Sequence, residues 1–364
     1  MHKTRSVVCY PKDFDETQSP LQLMGFYHRE TNYYVIVDKH IPGALQLNNC
    51  PDIPRLRWER QNNVLEFFSD NKPCVSNSYS VNSDLFSRHQ GLIETDQMLG
   101  CKALICGCGS VGSLVALELA RSGIGNFMLI DADILSIENL CRHQCSISDV
   151  GRRKAYALSD RIQLINPWAQ SHVHEVSLES LDPDQIASFA TPDTVFVGCA
   201  DSRRADYYLA RLASRLNVPF VSIGLWERAF AGEIFYQLPE SDHPCYTCAF
   251  DGLAGSLSHR HNQRRPFYTT EVELRKLDFQ PAISIDISFV TQIGLKLIID
   301  ILSRKRAGYV PRVLGSLSQY TLVCNTNDPR LGGPQAEIFS HPLQVTTSIE
   351  MRYSDSCPPC QFKS

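Results

Sequence analysis

The chain has 364 residues, 43% hydrophobic and 20% charged, the balance of a globular protein that can bury one large core or two modest ones. Lys plus Arg (35) nearly cancels Asp plus Glu (39), and a net charge of −4 supplies no broad basic field, which speaks against nucleic acid as a partner. Long apolar stretches such as Phe289 to Leu302 are interrupted by polar residues and Met1-His2-Lys3-Thr4-Arg5 lacks a signal-peptide core, so no membrane association and a cytoplasmic location are expected.

Residues 1–80 are aromatic and turn-rich, with one strong apolar run at Tyr33 to Val37, and read as a small N-terminal accessory domain with no obvious catalytic constellation. From residue 81 to 364 the texture changes. A strand pattern at Lys102 to Cys106, a helical one at Val111 to Arg121 and a second strand at Phe127 to Ile130 form a βαβ unit. The alternation continues with a helix near Arg152 to Ile165, a strand at Thr194 to Val197, a helix near Arg203 to Leu216 and a strand at Phe220 to Ile223. That order predicts an α/β, Rossmann-like fold: a mostly parallel sheet with helices on both faces. Ala249 to Gln280 is charged and rich in His and Arg, which predicts a mobile surface crossover before an apolar helix at Ile285 to Leu302; the last fifty residues read as β-rich.

Gly107-Cys108-Gly109-Ser110-Val111-Gly112 follows one strand and opens a helix, which aims backbone N–H groups and the positive helix end at a site suited to phosphate. Asp131 ends the next strand, where a carboxylate can hold ribose hydroxyls. These two features fit an NAD-dependent dehydrogenase equally well. The residues beyond Asp131 separate the two readings. Asp131-Ala132-Asp133, Asn139, Arg142 and Lys154 bring polar and cationic groups to the segment after the ribose strand, where hydride transfer has no use for them and a triphosphate does. Cys199-Ala200-Asp201 sits at the carboxyl end of another strand, which suits Asp201 to Mg2+; the alternatives are solvated surface charges for Arg142 and Lys154 and a helix-capping role for Asp201.

On these residues, positions from about 85 to 364 resemble the ThiF/MoeB superfamily, the adenylating enzymes that include ubiquitin-activating enzymes, sulfur-carrier activators and the peptide-modifying enzyme of microcin C biosynthesis. The resemblance implies ATP bound by Gly107, Gly109, Ser110, Gly112, Asp131, Asp133, Asn139, Arg142 and Lys154, with Mg2+ on Asp201. It implies adenylation of the C-terminal carboxylate of a ubiquitin-like or sulfur-carrier protein, or of a small ribosomal peptide, with a downstream acceptor protein. Ser87-Arg88-His89-Gln90 looks like the family's Arg-Gln signature, so Arg88 would reach a partner's nucleotide and a homodimer is expected; otherwise Arg88 ends a surface helix. An accessory domain ahead of that signature resembles the peptide clamp of the microcin enzyme. A non-catalytic interaction module that kept the fold is the reading from a different class.

Fourteen cysteines without an export signal point to thiols and metal ligation. Cys245-Tyr246-Thr247-Cys248 and Cys357-Pro358-Pro359-Cys360 are two CxxC knuckles able to aim four thiolates at one tetrahedral ion, and the superfamily often has a structural zinc at such places. Redox dithiols or buried apolar cysteines are the other possibilities. No cysteine lies between Ala249 and Ser288, where carrier-transferring relatives usually place a reactive thiol, so the chain is expected to stop at the acyl-adenylate. Cys141 and Cys145 flank Arg142, whose charge would lower a neighbouring thiol, and are the candidates for any covalent step.

Overall fold

The computed structural model describes residues 5–80, 84–226, 229, 231–251, 282–325 and 345–346. Its contacts divide into two compact units, Met1–Met98 with Ile162–Trp168, and Leu99–Arg161 with Ala169–Ser364.

The first unit is built on β-strands. β1 (Val7–Pro11), β2 (Met24–His28), β3 (Tyr33–Ile36) and β4 (Leu45–Gln46) join β8 (Val75–Tyr79) in a five-stranded sheet of order β4-β2-β3-β1-β8, with β1 parallel to both neighbours. β5 (Leu56–Gln61), β6 (Val64–Ser69) and β7 (Lys72–Pro73) form a second, antiparallel sheet. Its two hairpins turn on Asn62-Asn63 and Asp70-Asn71, all four with positive φ, and Asn and Asp are the side chains that tolerate this conformation in two-residue turns. Period-two alternation along β6 buries Leu65 and Phe67 beside Val8, Leu23, Tyr34, Ile36, Leu47 and Leu56. Buried Asn48 ties the core together, because its Nδ2 donates to Pro20 O and Leu56 O while its Oδ1 accepts from Leu56 N at 2.7 Å. A five-residue helix, α1 (Thr95–Leu99), stands in the chain just ahead of the larger sheet.

The second unit carries an eight-stranded sheet. β9 (Lys102–Cys106), β10 (Asn126–Ile130), β11 (Gln170–His174), β12 (Thr194–Gly198) and β13 (Phe220–Leu225) are parallel, and β14 (Ala231–Gln237), β15 (Tyr320–Cys324) and β16 (Val345–Thr346) add antiparallel neighbours in the order β11-β10-β9-β12-β13-β14-β15-β16. The central strands read as continuous apolar runs because both faces are covered. Ser222 on β13 donates to Asp206 of α5 (Arg203–Leu216) at 2.8 Å, whereas its neighbour Ile223 packs on Gly294 of α7 (Ser284–Ser303). Successive strand residues point to opposite faces, so α5 and α7 cover opposite sides of the sheet. α7 also packs on α2 (Ser110–Arg121).

The expected alternation is present, with α3 starting at Lys154 (Lys154–Ile165) rather than Arg152. Elements outside it include β11, α4 (Pro183–Phe189), β14 and a short helix at Tyr246–Asp251. The predicted crossover lies outside the described residues apart from its first three positions, which belong to the short helix α6 (Tyr246–Asp251). Of the C-terminal stretch expected to be β-rich, β15 and β16 are described, and Cys357 and Cys360 lie outside the described residues. The turn after α7 hangs on one buried carboxylate: Asp300 accepts from the backbone N–H of Arg312, Val313 and Leu314 at 2.6–2.9 Å and from the Tyr309 hydroxyl. No helix among the described residues is long and apolar enough to cross a membrane.

Candidate nucleotide site

In the second unit the parallel strands run outward from β9 in one direction through β10 and in the other through β12, so a crevice opens at the carboxyl ends of this pair. The glycine loop leaves β9 there. Gly107 has φ +89°, and a Cβ on it would lie 2.8–2.9 Å from the backbone of Ala200 in the facing loop. A Cβ on Gly112 would come within 1.8 Å of the Gly107 carbonyl oxygen. Both glycines are therefore demanded by the protein's own backbone. Gly109 differs. It occupies the N-cap of α2 without a side-chain cap, and a Cβ there would meet nothing within 4 Å. The first-turn amides of this twelve-residue helix thus have no side-chain cap, the arrangement that receives phosphate.

Asp131 braces this loop. Its Oδ2 accepts from Cys108 N at 2.7 Å and its Oδ1 from Asp133 N at 2.8 Å, which fixes the carboxylate at the loop's edge. His143, which lay inside the motif but received no role from the sequence, is a second brace. It is 6% exposed, its Nδ1 accepts from Cys145 N at 3.1 Å, and its Nε2 lies 2.8 Å from the Cys108 carbonyl. An Nδ1 that accepts leaves the proton on Nε2, which therefore donates to Cys108 O. Burial pushes the imidazole below its ordinary range, against the opposing pull of that carbonyl, so the strut is neutral.

The segment after Asp131 is pinned by its own side chains. Asn139 Oδ1 accepts from Ser136 N and Oγ at 3.0 Å, which commits its oxygen to a local turn and leaves the Nδ2 group as the remaining donor. The Asn139 carbonyl accepts from both Arg142 N and His143 N, and Gln144 N donates to Ser113 Oγ of α2, so half-buried Arg142 is carried between the glycine-loop brace and the first turns of α2. Asp133, expected on the nucleotide, pairs its carboxylate with Lys154 Nζ at 2.7 Å in this structure. Behind them Asp149 binds Arg152 and Arg161. Burial raises its pKa, but the Ser146 N–H and the Arg161 guanidinium outweigh burial and hold it at about 2.

Asp201 is exposed between β12 and α5, and the cap of α5 is Ser202, whose Oγ accepts from Ala205 N; the capping alternative for Asp201 is thereby removed. Arg88 lies in the other unit, exposed on the 3-10 turn Ser87–His89. Cys245 and Cys248 hold their sulfurs 3.8 Å apart at α6. That equals the edge of a tetrahedron with metal–sulfur bonds of about 2.3 Å, roughly 3.8 Å, so these two thiols fit half of a zinc site. Cys145 is not activated by Arg142: burial pushes its thiol up to about 12. Cys141 is exposed, with its Sγ 3.3 Å from Glu138 O. Cys106, Cys108 and Cys199 are all raised by burial, as is Cys324, to about 11.

A buried polar cluster at the same sheet edge had no sequence signal. Arg203 pairs with Glu233 at 2.7 Å, and Glu233 also accepts from Tyr320 and Trp226. These contacts span α5, β14 and β15, positions that sequence spacing does not connect.

The glycines give a discriminating experiment. Gly112→Ala should lower unfolding stability by more than about 2 kcal/mol in denaturant titration. Gly109→Ala should cost about 1 kcal/mol or less in stability, yet weaken ATP binding about tenfold or more in calorimetry, because its methyl fills the open cradle. For His143, the unfolded imidazole, with an ordinary value of about 6.5, takes up a proton that the folded one resists. Its stabilising contribution is complete above about pH 6.5 and is lost as pH falls toward the lowered folded value. Thermal midpoints measured from pH 7.5 to 5 should fall less steeply in His143→Gln than in the native chain.

A family model described as the ThiF family matches residues 82–326, well over half of the chain. The chain is 33% identical over 150 residues to the adenylyltransferase and sulfurtransferase MOCS3 of Caenorhabditis briggsae, covering 40% of this chain and 36% of that protein. It is 29% identical over 187 residues to ubiquitin-like modifier-activating enzyme 5 of Gallus gallus, covering 49% and 47%. The chain thus spans less than half the length of these relatives. Among solved structures, the microcin C7 biosynthetic enzyme MccB in complex with N-formylated MccA superposes with a TM-score of 0.54 at 19% identity, over 77% of this chain and 75% of that one. E. coli MccB with ATP gives 0.51 at 20% identity, over 73% and 68%. Fold, loop geometry and family match agree: the chain belongs to the ThiF family.

Proposed function

We propose that this chain uses ATP to adenylate the C-terminal carboxylate of a ubiquitin-like or sulfur-carrier protein, releasing pyrophosphate and leaving an acyl-adenylate for a partner nucleophile. The observation that carries this reading is the open, uncapped start of α2 at Gly109, with Lys154 on the same nucleotide-binding unit. The glycine-loop amides would hold the phosphates, Asp131 the ribose, and Arg142, Lys154 and the Asn139 amide the charge that grows as pyrophosphate leaves. The incoming carboxylate is itself the nucleophile, so alignment and charge neutralisation are the tasks left to the protein. Lys154 would exchange Asp133 for phosphate as the nucleotide enters. Asp201 would hold Mg2+, which supplies further neutralisation of phosphate charge. Arg88 would act on a partner's site in a homodimer.

The family match begins at residue 82, and the β-rich N-terminal unit largely precedes it. That extra unit supports a second reading, in which the acyl substrate is a short ribosomal peptide. NAD chemistry is the weakest reading, since Lys154 and Arg142 have no task in it. Cys245 and Cys248 would supply two of four zinc thiolates, with Cys357 and Cys360 completing a structural site.

ATP–pyrophosphate exchange with candidate carboxylate proteins and peptides tests the reaction. Exchange should require the acyl substrate, and Asp201→Asn should lower it roughly 10²-fold or more; exchange that ignores the substitution would remove Asp201 from the metal. Elemental analysis should find about one zinc per chain, and chelation or Cys248→Ser should lower the thermal midpoint, because metal binding is coupled to folding. A fully folded chain without zinc would refute the site.

A further inference from the structure

α5 leaves the reaction edge of the sheet directly after Asp201, and its outward face is a stripe of arginine. Arg204, Arg211 and Arg215 are all exposed, and with half-buried Tyr208 they follow a spacing of four, three and four residues, which keeps one helical meridian. The buried residues Ala205, Leu209, Leu212 and Ala213 occupy the opposite side. At 1.5 Å per residue the stripe runs about 16 Å away from the site. A merely solvated helix face interleaves acids with its bases, but the only acid on α5 is Asp206, and it is buried against Ser222. Among the described residues, none of the three arginines forms an ion pair with a carboxylate. Arg204 also stands in the first turn, where the helix dipole disfavours a cation, so its position is unfavourable until an anion joins it. The chain as a whole is acidic, which makes this local basic stripe a feature of one face and not of the composition.

We propose that the outward face of α5 docks an acidic polypeptide segment, with the arginines pairing its carboxylates and Tyr208 supplying the apolar contact. The assignment of that segment to the acyl substrate, steering its C-terminus toward the site, rests on the adenylation reading. Guanidinium forks suit carboxylates, and several exposed pairs acting together supply modest, salt-sensitive affinity with fast association.

A fluorescein-labelled peptide of alternating Glu and Gly, titrated with the full chain and followed by anisotropy, tests the surface. The peptide should bind at low salt and weaken as ionic strength rises. The triple variant Arg204→Glu, Arg211→Glu, Arg215→Glu should bind about tenfold more weakly or worse, while the corresponding triple Lys variant retains most of the affinity and both bind ATP as the native chain does. Equal peptide binding by the native and triple Glu chains, or no binding at all, would overturn the proposal. So would tighter binding of a single-stranded oligonucleotide than of the peptide. Absence of pyrophosphate exchange in the native chain would count against adenylation alone, since the docking surface stands or falls on the peptide titrations.

Discussion

The contact on which the second unit depends is the closure of the glycine loop on itself, with the Gly112 backbone pressed against the Gly107 carbonyl. No side chain fits between them, so α2 starts directly behind the loop that leaves β9. Everything else at the site is fitted to this closure. Asp131 holds the loop from the β10 side through Cys108 N, and His143 holds it from the far segment through Cys108 O. Both backbone hydrogen-bonding groups of Cys108 are thus used to fix the loop, and the cation-bearing segment around Arg142 is attached to the same residue. The glycine loop and the segment around Arg142 are thereby positioned by one short piece of backbone.

Much of this was legible in the sequence. The glycine spacing, the apolar runs of β9, β10 and β12, and the helical period of α2 and α5 are local signals, and local signals survive folding where both faces of a sheet are buried. The roles of single side chains were less legible. Residue type and spacing single out Asp133 and Asn139 but not their local contacts, in which the Asp133 carboxylate pairs with Lys154 and the Asn139 oxygen closes a turn on Ser136. Cys145 reads as activated by Arg142 in one dimension, whereas in three its burial raises the thiol. β11 escaped notice because an edge strand rich in His and Gln has half-exposed positions and no apolar run. The Arg203–Glu233–Tyr320 cluster could not be read at all, since its members are linked by the antiparallel additions to the sheet and not by chain proximity.

The buried ionic and polar groups divide by task. Asp300 and Asn48 have their polar atoms satisfied largely by backbone, and act as rivets that hold irregular chain to regular structure. Lys154–Asp133 differs: the ammonium is nearly buried while the carboxylate is largely exposed, so the cation is fixed in place and its counterion is the replaceable half.

The turns of the N-terminal unit have a consequence for how that unit assembles. Asn62-Asn63 and Asp70-Asn71 each leave no spare residue between paired strands, so β5, β6 and β7 have a single register: Gln61 opposite Val64 and Ser69 opposite Lys72. A slip of one residue would turn Leu65 and Phe67 outward into water. The loops are the shortest a hairpin allows, and their closure costs the chain the least entropy of any pairing in the unit. This meander can therefore find its alignment from neighbouring residues alone, ahead of the parallel pairing of β1 with β8, whose partners are separated by most of the unit's length.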